Sequence, residues 1–189
     1  MGREFELKYA ATPDKLAAIG MQWDNWVEIS METTYFDTAD GALSEQKCTL
    51  RQRMENGVSV CTMKTPAAGF GRGEWDVQAR WNEETAMALF AAASRESVPF
   101  EKLKPVCGAR FIRRAKLLEL TDCTVEIALD EGVLLGGGRE IPLCELEVEL
   151  KGGNEESAAL WAQNLASQYD LQSELRSKFS RASALAKGE

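Results

Sequence analysis

The sequence predicts an α+β protein in which about eight hairpin-linked strands form an antiparallel sheet, able to close into a barrel, with a few flanking helices. Three observations carry that expectation. Charged and apolar residues alternate in several short segments, the first being Glu4, Glu6 and Lys8 interleaved with Phe5 and Leu7. Asn56-Gly57 stands between two strand-like runs, and both central positions of a type I′ hairpin turn need positive φ. Helix-capping chemistry opens further segments at Thr12-Pro13, Asn82 and Asn154.

After the first strand, Thr12 as N-cap and Pro13 as first helical residue predict a short helix to about residue 22. A second strand is expected over 26–37, where Val27-Glu28-Ile29-Ser30 alternates into β-rich Thr34-Tyr35-Phe36, ending in a turn at Asp40-Gly41. The hairpin strands span 47–55 and 58–64. A glycine-rich link over 69–73 leads to a strand in which Glu74, Asp76 and Gln78 alternate with Trp75, Val77 and Ala79. Asn82 caps a helix from 83 to about 96, with acidic residues in its first turn. Residues 106–119 and 123–130 form another hairpin around Thr121-Asp122. Val133-Leu134-Leu135 precedes three glycines, and a strand over 140–151 follows. Asn154 begins a helix, and Ser173 or Ser177 begins the last one, carrying Lys178 and Arg181.

At 189 residues with 44% hydrophobic content, the chain is long enough for one well-buried domain and short for two, so 1–189 is read as a single domain. A net charge of −8 argues against nonspecific attraction to nucleic acid or anionic lipid, so any phosphate binding must be local. No apolar run approaches transmembrane length, and no signal-peptide core precedes the first strand, which makes the cytoplasm the expected location. Five cysteines without a CxxC pair suit a reducing compartment, and each falls in an expected strand as a small buried hydrophobe. Histidine is absent, which removes the usual parts of zinc sites and of Ser-His or Cys-His catalysis. Oxygen ligands remain, and they favour magnesium or manganese.

The ionic faces admit two readings. Arg51 and Arg53, Thr62 and Lys64, Glu126 with Asp130, and Glu145, Glu147 and Glu149 repeat the alternation, and each strand alone would line the wet side of an amphipathic sheet. Acidic and basic strands in one small chain would, if their charged faces converge, hold a polyanion together with divalent cations. The glycine-rich stretches match neither phosphate-loop pattern and read as turns, while the five dispersed tryptophans read as packing residues.

These elements resemble a family. Glu4-x-Glu6-x-Lys8 is similar to the ExExK signature of the CYTH superfamily, the triphosphate tunnel metalloenzymes. Tyr35-Phe36-Asp37-Thr38, Leu50-Arg51-x-Arg53, Thr62-x-Lys64, Glu74, Arg113, Glu126 to Asp130, Glu145-x-Glu147 and Ser177-Lys178 follow in the family's order over almost the whole chain. The resemblance implies an eight-stranded antiparallel tunnel with a charged, hydrated interior and apolar outer faces under helices. It implies metal coordination by Glu4, Glu6, Glu145 and Glu147, with Glu126 and Asp130 as further ligands or as partners of an interior arginine, and Glu4, Glu6 and Lys8 nearest the chemistry. Lys8, Arg51, Arg53, Lys64, Arg113 and Lys178 would clamp phosphate, the arginines by bidentate hydrogen bonds and the lysines as mobile point charges. Arg113 and Arg110 cannot share a strand face. Glu74, Arg72 and Glu149 are supporting candidates whose roles stay open.

The activity so implied is magnesium- or manganese-dependent hydrolysis of a triphosphate, with inorganic triphosphate favoured by the likeness to bacterial inorganic triphosphatases. Class IV adenylyl cyclase, thiamine or nucleoside triphosphatase, and a noncatalytic polyphosphate-binding module are the alternatives. The expected partner is a small triphosphate, with neither nucleic acid nor membrane, and the chain gives no basis for an oligomeric state.

Overall fold

The computed structural model describes residues 5–66 and 72–189, Arg72 through its backbone alone. Its strands and helices run β1 (Glu6–Ala10), α1 (Pro13–Gly20), β2 (Val27–Asp37), α2 (Ala42–Glu45), β3 (Thr49–Glu55), β4 (Val58–Pro66), β5 (Arg72–Val77) and α3 (Glu83–Ala92). A 3-10 turn at Phe100–Lys102 leads to β6 (Lys104–Glu119), β7 (Cys123–Gly136), β8 (Arg139–Gly153), α4 (Glu155–Gln168), β9 (Gln172–Ser173) and α5 (Lys178–Lys187).

The strands form one sheet in the order β5-β4-β3-β2-β6-β7-β8-β1-β9, with antiparallel neighbours throughout. Two features differ from the expected eight-stranded barrel. A ninth strand of two residues pairs Ser173 with Tyr9, and among the described residues no hydrogen-bonded ladder joins β5 to β9. The sheet is nonetheless strongly curved, because Glu6 and Lys8 near one end line the same cavity as Glu74 and Asp76 at the other. Gln172-Ser173 is too short and too polar to carry a strand pattern, which hides it from a period-two reading.

Alternation sets the two faces. Leu50 and Met63 point outward to pack with Leu89 and Phe90 of α3, while Arg51 and Lys64, one residue along, turn inward. Val125, Ile127, Leu129, Leu146 and Val148 point outward against Leu16 and Ile19 of α1 and Ala158, Ala162 and Leu165 of α4. α5 takes the concave side, where Ala182 joins Met31, Phe111, Leu134 and Leu143 in a smaller apolar cluster.

Local chemistry fixes the element ends. Asn56 and Gly57 both have positive φ, at 48° and 84°, as the hairpin requires. The Thr12, Asn82, Asn154 and Ser177 side chains each accept a hydrogen bond from a backbone N–H in the first turn of their helix. Two segments behave differently from the sequence reading. The strand expected over 123–130 continues to Gly136, because Gly132 allows β6 so near that a Cβ there would lie 2.2 Å from the Arg110 carbonyl oxygen. α2 follows Asp37, whose carboxylate accepts from the N–H groups of Thr38, Leu43 and Ser44 at 2.8, 2.9 and 3.0 Å. All five cysteines are free, four of them within strands, while Cys48 precedes β3. The glycine-rich link expected over 69–73 lies mostly outside the described residues, and among those described no helix is long and apolar enough to cross a membrane.

Candidate functional site

The concave face encloses a cavity of about 360 Å³ lined, among the described residues, by seven cationic and six carboxylate side chains. Register explains how they meet. Glu149 of β8 lies opposite Glu6 of β1 on one side and Glu126 of β7 on the other, making a cross-strand row of carboxylates. In the next inward-facing row Glu147 lies opposite Lys8, and in the one after it Glu145, Asp130 and Arg113 are neighbours across β8, β7 and β6.

Asp130, Glu145 and Glu147 are the deepest acids, at 0, 0 and 7% exposure, and each places a carboxylate oxygen within 4.8 Å of the others. Among the described residues three cations neutralise them. Arg113 donates from Nε to Asp130 Oδ1 at 2.8 Å and from Nη2 to Asp130 Oδ2 at 2.7 Å, and also reaches Glu147. Lys178 Nζ, from the first turn of α5, lies 2.7 Å from both Asp130 Oδ2 and Glu147 Oε1 and bonds Glu145. Arg181, one helical turn further on, bonds Glu145 from the other side.

Burial raises the pKa of a carboxylic acid unless a cation offsets it. For Glu147, Lys178 and then Arg113 overcome the burial and hold the carboxyl well below its usual range. Glu145 goes the other way: burial, reinforced by the charge of Glu147, outweighs Lys178 and Arg181 and pushes it up. Burial opposes the charge on Lys178 too, but Glu147, Asp130 and Glu145 raise its pKa above the ordinary lysine value.

The basic wall comes from β3 and β4. Lys64 Nζ is 3.2 Å from Glu74 Oε1, opposite it in register, and Arg51 Nη2 is 3.5 Å from the same oxygen. Arg51 keeps a buried Nε without a hydrogen-bond partner among the described residues. Arg53 donates from Nε to Glu55 Oε1 at 2.7 Å, yet its pKa is lowered, first by burial and next by the like charge of Arg51, with Arg113 adding to it. Converging guanidinium groups thus leave Arg53 short of negative charge.

The CYTH domain profile matches residues 2–183. This chain belongs to the CYTH family. It is 29% identical over 195 residues to an inorganic triphosphatase of Haemophilus influenzae, covering 96% of this chain and 54% of that protein, so the chain spans about half the length of this relative. Solved structures of similar fold include the PH1819 protein of Pyrococcus horikoshii OT3, with a TM-score of 0.66, 20% identity and coverage of 98% of this chain and 99% of that one. A candidate adenylyl cyclase from Hippeastrum with a dominant triphosphatase activity superimposes with a TM-score of 0.66 at 17% identity, over 100% of this chain and 96% of that one. These two likenesses show the fold.

Within the CYTH sheet, Lys8, Arg51, Arg53, Lys64, Arg113 and Lys178 all line the one cavity, as do Glu6, Glu74, Glu126, Glu147 and Glu149. Asp130 and Glu145 lie behind them in the buried cluster. Glu145 and Glu147, expected as metal ligands together with Glu4 and Glu6, are not the register partners of Glu6: Glu149 lies opposite Glu6 and Glu147 opposite Lys8. Lys151 ties Glu149 and Glu126 together, at 2.8 and 3.5 Å. Arg113 points inward while Arg110 is exposed and pairs with Glu140, as their odd spacing requires. Glu4 and the Arg72 side chain lie outside the described residues.

Sequence reasoning did not single out Arg181, Asp76, Tyr35 or Lys151 as site residues. Arg181 carried a usable signal, its i, i+3 spacing from Lys178 on one helix face. Asp76 and Lys151 continued stripes already recognised, and Tyr35 sits in a recognised motif. As a donor set, three buried carboxylates with hard oxygens fit magnesium or manganese.

Proposed function

We propose that this protein hydrolyses a triphosphate with a divalent metal, magnesium or manganese, and that inorganic triphosphate yielding pyrophosphate and phosphate is its reaction. Residues 1–189 act as one domain in this reading. The observation that carries it is the convergence of Arg51, Arg53 and Arg113 on a cavity walled by carboxylates, with a buried Arg51 Nε left without an acceptor among the described residues. Such an arrangement suits a multiply charged anion that brings counter-cations with it, because the lining is nearly balanced in charge without one. The likeness to the Haemophilus influenzae inorganic triphosphatase supports the choice of substrate.

Arg51, Arg53 and Arg113 present planar forks matched to phosphate oxygens, and Lys8, Lys64 and Lys178 supply point charges that follow charge redistribution during transfer. Asp130, Glu145 and Glu147 would hold the metal, with Glu6, Glu126 and Glu149, and Glu4 before them, as the second carboxylate group. When bound, the metal supplies Lewis-acid neutralisation of phosphate oxygens and lowers the pKa of a coordinated water. Glu6, 3.0 Å from Lys8 through its Oε1, accepts the proton of the attacking water as the water oxygen bonds the terminal phosphorus and the bridging P–O bond breaks. Lys8 holds that carboxylate in place.

Phosphate release from triphosphate, pyrophosphate, ATP and thiamine triphosphate, each with magnesium, manganese or chelator, tests the reading. Orthophosphate from inorganic triphosphate only in the presence of metal is the expected result. Cyclic AMP without orthophosphate would replace it with the cyclase reading, and tight binding without product under every condition would replace it with a binding module.

A further inference from the structure

Lys178 occupies an unusual place for a phosphate ligand. Its ammonium does not point at the arginines across the cavity but sits among Asp130, Glu145 and Glu147, bonded to all three. These are the carboxylates whose oxygens cluster within 4.8 Å, so a divalent cation would be drawn to the same atoms that Lys178 now neutralises. We propose that Lys178 is a resident counter-cation of this cluster, and that its departure toward the cavity couples metal binding to polyphosphate binding. The proposal rests on the reading of the cluster as the metal site.

Charge balance supports it. Among the described residues the three acids are matched by Lys178, Arg113 and Arg181, so a divalent cation added to the cluster with Lys178 in place would leave a buried surplus of positive charge. An incoming polyphosphate removes that surplus and gives the displaced ammonium a new partner. Each ligand thereby lowers the cost of the other.

Geometry singles out Lys178 as the cation that moves. Arg113 is fixed by its two-pronged grip on Asp130, directly opposite it in the ladder. Arg181 approaches Glu145 from the next turn of α5 and keeps that fully buried carboxylate partnered when Lys178 leaves. Lys178 instead carries a compact charge on a flexible stem, lines the cavity, and stands 5.1 Å from the centre of the Phe111 ring, whose face favours a cation during the passage. Its residue opens α5, where the helix N-terminus adds favourable potential for an anion beside it.

The test is calorimetric titration of manganese chloride into the wild type, Lys178→Met and Lys178→Gln, with and without the nonhydrolysable imidotriphosphate. Wild type is expected to bind manganese at least tenfold more tightly with imidotriphosphate present, and imidotriphosphate more tightly with manganese by the same factor. Both variants, checked for fold by circular dichroism, are expected to bind manganese alone at least tenfold more tightly than wild type and to lose most of the coupling. Equal manganese affinity in wild type and variants, or in wild type with and without imidotriphosphate, overturns the proposal while leaving the metal site standing. No manganese uptake by wild type under either condition overturns the metal-site reading and the proposal with it. The variants decide the matter, because direct metal–phosphate coordination couples the two ligands in wild type without any movement of Lys178; if one variant fails to fold, the other carries the comparison.

Discussion

Arg113 stands directly opposite Asp130 across the β6–β7 ladder and holds it through two hydrogen bonds, Nε to Oδ1 at 2.8 Å and Nη2 to Oδ2 at 2.7 Å. A two-pronged ion pair at full burial on the carboxylate side serves structure as well as chemistry. Removing Asp130 leaves Arg113 and Lys178 sharing fewer carboxylates in a largely buried place. Asp130→Ala is therefore expected to lower unfolding free energy by about 3–5 kcal/mol, read from the urea midpoint at unchanged slope. A loss below about 1 kcal/mol would show that the pair behaves like a solvated surface bridge.

Arg53 is held below its ordinary pKa, first by burial and next by the like charge of Arg51, despite its bond to Glu55, so an incoming phosphate supplies charge that it needs. Arg53→Ala should raise KM for inorganic triphosphate by about 10–100-fold, corresponding to the loss of a charge-assisted hydrogen bond of about 1.5–3 kcal/mol. Steady-state kinetics check this, and an unaltered KM removes Arg53 from the clamp.

Glu6 shares its inward face with Lys8, and amide replacement keeps its shape while abolishing its basicity. In Glu6→Gln, turnover should fall by about 10²–10⁴-fold with the circular dichroism spectrum unchanged. A rate equal to wild type would place the proton acceptor elsewhere.

Gly136 lets α5 lie against the concave face: a Cβ there would meet the Ala182 carbonyl oxygen at 2.4 Å and the Ala186 nitrogen at 2.7 Å, both of them helix backbone. Gly136→Ala must push α5 outward, carrying Lys178 with it. The expected cost is about 1–3 kcal/mol in thermal unfolding, with weaker binding of triphosphate. An unchanged melting temperature would mean that the helix shifts freely.

Cys107 has its thiol pKa pushed up to about 12, by burial first and then by the charge of Asp37. Burial favours the neutral thiol, so the folded protein holds this proton at pH values where the unfolded chain has released it. The resulting stabilisation is complete below the ordinary thiol range, about pH 8.5, and is lost as pH rises toward 12. At pH 8 a thiol reagent should label Cys107 far more slowly in the native protein than in urea, as mass spectrometry of the labelled peptide will show. Equal rates would contradict the burial.

Much of the fold was legible because its signals are local. The Asn56-Gly57 turn, the caps at Thr12, Asn82, Asn154 and Ser177, and the alternation in β3, β4 and β8 each depend on neighbours within a few residues. β7 was harder, since Gly132 looks like a strand break until β6 is seen to need the space. α2 and β9 are too short to carry a period. For the site, residue type and strand parity located the inward-facing charges. The register of Glu149 against Glu6, and the partners of Lys178, depend on residues distant in sequence.

Chemical identity along each strand already dictated that one face would be ionic and the other apolar, because successive side chains must point opposite ways and only one set tolerates burial under helices. How those ionic faces would neutralise one another depended on sheet curvature and on the seat of α5. Charge pairing in a low-dielectric cavity varies with distances of a few ångströms, and such distances arise from packing between segments that no local pattern relates.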